Sequence, residues 1–121
     1  MSPRYAQGAN RPVPEGVWGG EHLRLEVTAT GAALEYDCAT GTIERPLVLD
    51  ARGRFLARGT HAPERGGPTP RNGRPAAARA RYVGVVRRDT MTLTVTLENR
   101  KQPIGVFTLT RGTESLLMKC R

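Results

Sequence analysis

The sequence predicts an all-β protein built as a single eight-stranded antiparallel up-and-down meander barrel. Apolar residues alternate with polar ones at period 2 along most of the chain, as in half-buried strands. No stretch of a dozen residues shows the 3 and 4 spacing of an amphipathic helix. Short turn-like segments separate the strands, and eight strands suffice to close a meander. A β-sandwich has the same strand count and alternation and stays open as the alternative.

The eight expected strands cover residues 16–27, 34–38, 43–49, 54–57, 82–86, 91–97, 104–110 and 115–120. The clearest is 91–97, where Met91, Leu93, Val95 and Leu97 alternate with threonines that suit a solvated strand face. Residues 29–32 contain Gly31 and predict the tight turn of a hairpin between the first two strands.

Turns are expected at 50–53, 87–89, 98–102 and 111–114, where glycine, charged and other polar residues cluster. Pro46 has no amide hydrogen, so it is expected at an edge or a bulge of the third strand.

The chain has 121 residues, enough for one domain. Among its Val, Ile, Leu and Phe residues, only Val13 falls within 1–15, and none falls within 57–81. We therefore expect a flexible N-terminal tail over 1–15 and a barrel domain over 16–121 that carries a long basic loop at about 58–81. No apolar run approaches the roughly 18 residues of a membrane span, so no transmembrane segment is expected.

The net charge of +8 is concentrated in residues 57–81, which contain six arginines and a single acidic residue, Glu64. Such a segment predicts weak, salt-sensitive contact with polyanions. The expected contact residues are Arg65, Arg71, Arg74, Arg79 and Arg81. Residues 57–81 contain no Phe, Tyr or Trp on which a nucleic-acid base could stack, so specific nucleic-acid binding is not expected.

The two cysteines, Cys38 and Cys120, allow one disulfide or two free thiols. Both share the inward phase of their predicted strands with Tyr36 and Met118. In a meander barrel the two cysteines are on strands two positions apart, about 9 to 10 Å from each other. A disulfide therefore requires these strands to come closer together at the barrel end. The chain as written shows no secretory signal, which favours the cytoplasm; a trimmed N-terminus would favour the periplasm or the extracellular space.

Gly16-Val17-Trp18 at the start of the first strand and Arg121 at the end of the chain resemble the closing signature of the calycin barrels, the lipocalins and their relatives. The resemblance implies that Gly16, Trp18 and Arg121 close one barrel end, with a guanidinium on the indole face.

Longer strings are similar to a family of uncharacterised small bacterial β proteins that are often exported. They are Trp18-Gly19-Gly20-Glu21-His22, the stretch 35–41 and the stretch 105–112, and the similarity spans about residues 16–121. It implies the fold and export but no activity. That family is expected to have His where this chain has Thr40.

No pattern in the chain predicts catalysis. His22 and His61 are the only imidazoles, no cysteine or histidine spacing fits a metal site, and the common nucleophile and phosphate-loop motifs are absent. We therefore expect no enzyme, no cofactor and no metal site.

The sequence thus predicts a monomeric binding module. Its partner is a small apolar ligand or an unknown protein, and three functions stay open. A small apolar ligand could lie inside the barrel against Leu25, Val27, Tyr36, Leu93, Val95 and Phe107. Alternatively, the core is filled and the strand ends serve a protein-interaction or inhibitor function, or the basic loop attaches the protein to nucleic acid or to an anionic surface.

Overall fold

A computed structural model describes residues 11–63 and 77–118, and it is all-β. Its strands are β1 (Arg11–Pro12), β2 (Gly16–Gly20), β3 (Leu23–Val27), β4 (Ala32–Tyr36), β5 (Ala39–Ile43), β6 (Val48–Leu49), β7 (Arg54–Pro63), β8 (Ala78–Arg87), β9 (Thr90–Leu97) and β10 (Gly105–Arg111). Within these ranges there is no helix long and apolar enough to cross a membrane.

Eight of the strands form one closed antiparallel barrel in the order β10-β2-β3-β4-β5-β7-β8-β9. Each of these strands pairs with the barrel strands that precede and follow it in the chain. Strand β10 closes the barrel on β2 through the pairs Thr110 with Gly19 and Arg111 with Trp18. The predicted meander barrel is confirmed, and its closure excludes the sandwich.

The first half of the chain differs from the predicted strand boundaries. The predicted first strand is two strands, β2 and β3, because His22 adopts a φ of 72° that an extended strand does not allow. The predicted third strand, 43–49, is wrong: Ile43 ends β5, and β6 lies outside the barrel, paired with β1. The hairpin between β3 and β4 follows the prediction, with Thr28 N donating to the Gly31 carbonyl at 2.9 Å.

The predicted eighth strand, 115–120, is also wrong within its described part. Residues 113–118, here called the C-terminal strap, cross the outside of β2, where a Cβ on Gly19 would lie 2.8 Å from Ser115 Oγ. Leu116 makes a single parallel bridge with Glu21. Met118, expected to point inward, is 74% exposed. The barrel still has eight strands, because the division of the first predicted strand and the presence of β5 offset the loss of the third and the last predicted strands.

Two strands extend into the segment that was predicted as the long basic loop. Strand β7 continues to Pro63 and β8 begins at Ala78, with pairs from Arg54 with Val85 up to His61 with Ala78. The expected loop boundaries at about 58 and 81 are therefore wrong, since residues 58–63 and 78–81 belong to barrel strands.

The end of the predicted N-terminal tail belongs to the fold. Strand β1 pairs with β6, and Val13 is buried, its amide donating to the Leu47 carbonyl at 3.0 Å. Leu47 and Leu49 are buried as well. Within the described part, residues 11–15 thus do not form a flexible tail. Together with β6 they cover the lower end of the barrel, the end that carries Gly16 and the turns at 28–31 and 88–89.

The core consists of the inward side chains of the barrel strands, together with the buried residues at the lower end. The largest side chains that are fully buried are Trp18, Leu23, Leu25, Tyr82, Met91, Leu93, Val95 and Leu109, with Val13 at the lower end. At Gly84 the missing side chain makes room for a ring, because the Phe55 ring of the opposite strand occupies the space that a Cβ would need.

Candidate binding site at the upper end of the barrel

The predicted ligand residues all face the barrel interior, but they lie at different depths. Val27 is near the lower end, opposite Gly16, whereas Leu25, Leu93 and Val95 are buried further up. Tyr36 and Phe107 lie towards the upper end, which carries the turns at 21–22 and 37–38. The predicted set therefore extends along the barrel from Val27 near the lower end to Tyr36 near the upper end.

Three rings meet at the upper end and form what we call the upper aromatic cluster: Tyr36, His61 and Phe107. The ring centroids of Tyr36 and His61 are 4.9 Å apart at 72°, and those of Tyr36 and Phe107 are 5.8 Å apart at 66°. Both contacts are edge-to-face, the arrangement that aromatic quadrupoles favour. His61 and Phe107 are half-buried, so the cluster is accessible from the upper end.

His61 was not predicted as a site residue, because residue 61 was assigned to the basic loop. The inward alternation of Phe55, Ala57 and Gly59 continues to His61 on β7. Extending that period-2 pattern past Gly59 would have placed the imidazole inside the barrel.

A second tyrosine lies below the cluster. Tyr82 on β8 is fully buried, and its hydroxyl donates to the Thr60 carbonyl at 2.6 Å. Gly41 and Gly59 make room for this ring, since a Cβ on Gly41 would lie 2.6 Å from the Tyr82 hydroxyl. Tyr82 was not among the predicted site residues.

The two phenols and the imidazole are all neutral at pH 7. Burial is the main cause that raises the pKa of Tyr36 far above its ordinary value, and the neighbouring Tyr82 raises it further. Burial likewise raises the pKa of Tyr82. At His61 burial lowers the pKa below 6.5, and the buried Nδ1 has no hydrogen-bond partner among the residues that the structure describes. A neutral imidazole can accept or donate a hydrogen bond there.

The lowered pKa of His61 predicts how stability depends on pH. The unfolded chain, with a pKa of 6.5, takes up a proton that the folded protein resists, so His61 should destabilise the fold as the pH falls through and below 6.5. Urea denaturation of the wild type and of His61→Phe between pH 7.5 and 5 measures this. The wild type should lose more stability than the variant, and parallel losses would contradict the prediction.

The Tyr82 hydroxyl should stabilise the barrel through its bond to Thr60. Tyr82→Phe removes the hydroxyl that donates to this part-buried carbonyl, and a cost of about 1–3 kcal/mol is expected. Tyr36→Phe and the double variant complete a cycle that reports the coupling of the two hydroxyls. Unchanged denaturation midpoints in Tyr82→Phe would contradict the hydrogen bond.

The rim of the upper end is held by Asp37. One carboxylate oxygen of Asp37 lies 2.5 Å from His22 Nδ1, and the other accepts a hydrogen bond from the Met118 amide at 2.7 Å. Asp37 thereby ties the turn between β2 and β3 to the C-terminal strap. At the same rim, a surface concavity of about 340 Å³ is lined by Glu21, His22, Val106, Phe107 and Thr108.

Cys38 also lies on this rim and is disulfide-bonded. The other cysteine, Cys120, lies outside the described residues. For the pair Cys38 and Cys120, the intact protein should be about 2 Da lighter before reduction than after it, because each bridge removes two hydrogens. Equal masses would contradict the bridge, and a Cys120→Ser control should abolish the difference.

At the lower end, Trp18 donates from Nε1 to the Pro14 carbonyl at 3.1 Å. The residue in register with Trp18 on the last barrel strand is Arg111, whose Nε and Nη2 donate to the Glu15 carbonyl at 3.0 and 2.8 Å. A Cβ on Gly16 would lie 3.8 Å from Arg111 Nε. Arg121, which the sequence analysis paired with Gly16 and Trp18, lies outside the described residues.

Of the predicted polyanion contacts, Arg79 and Arg81 are exposed on the outer face of β8. Arg65, Arg71 and Arg74 lie outside the described residues. Across residues 11–63 and 77–118, no three His, Cys, Asp or Glu side chains are grouped to hold a metal ion.

No family model matches the chain, and neither a curated protein nor a solved structure matches it.

Proposed function

We propose that the protein is a non-catalytic binding module that holds a small, mostly apolar ligand at the upper end of its barrel. The observation that carries this proposal is the buried Nδ1 of His61, which lacks a protein partner among described residues and lies beside the Tyr36 ring. A buried polar atom without a partner costs stability unless another molecule completes its hydrogen bond. A ligand with one polar group would do so while its apolar part packs on the rings.

The packing of the core supports an upper rather than a deep position for the ligand. Leu25, Leu93 and Val95 are already buried among protein side chains, whereas Phe107 and His61 keep exposed ring surface. The ligand would therefore contact Tyr36, His61 and Phe107. Leu25, Val27, Leu93 and Val95 would support the site from below.

A neutral fluorescent probe, N-phenyl-1-naphthylamine, tests the site. Its emission should rise on binding and saturate at one probe per protein. Phe107→Ala should weaken binding at least tenfold, whereas Leu56→Ala should leave it unchanged because Leu56 is exposed on the outer face of β7, away from the upper aromatic cluster. Equal effects of the two variants, or no saturable binding, would overturn the proposal and favour the filled-core interaction module.

Native mass spectrometry of protein purified from its own cells would identify the ligand class. An adduct of a few hundred daltons is expected for a small, mostly apolar ligand. The adduct should be lost in Phe107→Ala and kept in Leu56→Ala.

Two further features support a relationship and a compartment. Gly16, Trp18 and Arg111 lie together at the lower end, and this arrangement resembles the closing signature of the calycins, for which Arg121 was the predicted cation. The disulfide at Cys38 supports export, because disulfides persist mainly in oxidising compartments. We include both in the proposal: a lipocalin-like, exported bacterial binding protein.

A further inference from the structure

The outer face of the barrel carries arginines that are close together on neighbouring strands. Arg58 on β7 is directly opposite Arg81 on β8, and Arg79 lies two residues away on β8, opposite Thr60. All three arginines are exposed. Like charges directly opposite each other destabilise a sheet, so this arrangement has a cost that packing alone does not explain.

Two of these arginines line a concavity of about 300 Å³ together with Arg45. The hydroxyls of Thr42 and Thr60 also line it and lie 2.7 Å apart. The remaining lining residues are Glu44, Gly59 and Glu98. The concavity therefore offers guanidinium and hydroxyl donors on one open surface.

The glutamates do not neutralise these arginines through ion pairs. Among the described residues the ion pairs within 4.0 Å are His22 with Asp37 and Arg24 with Glu26, and neither lies at this concavity. Together with Arg81, four arginines and two glutamates leave two positive charges in and beside it. That excess matches the charge of a dianion.

We propose that this concavity, the outer arginine site, binds a phosphate or sulfate oxyanion, either free or as an ester group on a larger molecule. The planar guanidinium presents paired N–H donors whose spacing fits two oxygens of such an anion. Arg58 and Arg79 contact the anion from adjacent strands, and Arg45 contacts it from the chain after β5. One hydroxyl proton is used between Thr42 and Thr60, and the other is donated to a remaining oxygen of the anion. The bound anion relieves the repulsion between Arg58 and Arg81.

The site is separate from the upper aromatic cluster. Thr60 and Arg58 face outward on β7, whereas His61 on the same strand faces the interior. It also differs from the basic loop predicted from sequence, because Arg45 and Arg58 were not among the expected contacts and Arg79 belongs to a strand.

The test is isothermal titration calorimetry on the full chain with inorganic phosphate, inorganic sulfate and tripolyphosphate, at constant ionic strength set with sodium chloride. The site variant is Arg58→Gln with Arg79→Gln. The control is Arg52→Gln with Arg87→Gln, which removes the same charge at the lower end of the barrel. The site variant should weaken binding at least tenfold, and the control less than twofold.

The three anions distinguish the two sources of the oxyanion. Free phosphate or sulfate binding as tightly as tripolyphosphate indicates a site for a free ion, and at least tenfold tighter binding of tripolyphosphate indicates an oxyanion presented on a larger molecule. Equal losses in both double variants would show non-specific attraction by net charge, and unchanged binding in the site variant would place the anion elsewhere. Either of these two results overturns the proposal.

A thermal unfolding measurement gives a second readout. Arg81→Gln should raise the midpoint in chloride, because it removes the repulsion with Arg58. Phosphate at the same ionic strength should raise the wild-type midpoint more than that of the double site variant, because a ligand that binds only the folded state stabilises it. Equal increases would contradict binding at the outer arginine site.

Discussion

Trp18→Ala is expected to destabilise the barrel by about 3–5 kcal/mol, the range for removing a fully buried large aromatic side chain. Trp18 is completely shielded from solvent at the lower end, and its indole nitrogen donates to the Pro14 carbonyl. Alanine would leave a cavity and an unpaired carbonyl together. Urea denaturation measures the loss.

Two variants separate the causes of that loss. Trp18→Phe keeps a ring but removes the donor to Pro14, so a smaller cost of about 1–3 kcal/mol is expected from the lost hydrogen bond. Val17→Ala changes the adjacent residue on the outer face of β2 and should cost no more than about 1 kcal/mol. A Trp18→Ala protein as stable as Val17→Ala would show that the lower end is not closed by this side chain.

The lower end also shows why the alternation in the sequence predicted burial better than it predicted strands. Leu47 and Leu49 are buried, as their spacing with Ile43 indicated. They cover the end of the barrel, however, and do not belong to its wall. A period-2 pattern indicates which side chains are buried. A segment that covers the barrel end can show the same pattern as a strand of the wall.

Backbone conformation and glycine positions account for the other strand differences. Histidine is enriched among the uncommon non-glycine residues with a positive φ, but residue type does not say which histidine adopts one, so the φ of 72° at His22 and the division between β2 and β3 were not predictable from residue preference alone. Gly19 lies on the outer face of β2, where the C-terminal strap leaves no space for a side chain. A glycine at that position is compatible with a close backbone approach, but the sequence does not say which segment approaches.

The candidate site was predictable only in part. Tyr36 and Phe107 followed from their inward phase, and both belong to the upper aromatic cluster. His61 was hidden because proline, glycine and arginine dominate the stretch after it, and composition was averaged over residues that belong partly to strands. Strand pairing brings His61 next to Gly41 and places it near Tyr36, a long-range effect that local patterns do not contain.

Gly84→Val is expected to destabilise the barrel by about 3 kcal/mol, at the upper end of the range for overpacking a core. The Phe55 ring lies where the new Cβ would be, and Phe55 is itself buried. The two residues are directly opposite each other on β7 and β8, so the ring cannot move away without leaving the core. Chemical denaturation of the variant measures the effect.

A double-mutant cycle tests whether this contact is the cause. Phe55→Ala alone should cost about 3–5 kcal/mol, because it empties the space above Gly84. In the double variant the valine side chain refills part of that space, so the combined cost should be smaller than the sum of the single costs by about 1–3 kcal/mol. Additive costs would mean that the effect of the valine does not depend on the Phe55 ring. The ring over Gly84 would then not determine the packing between β7 and β8.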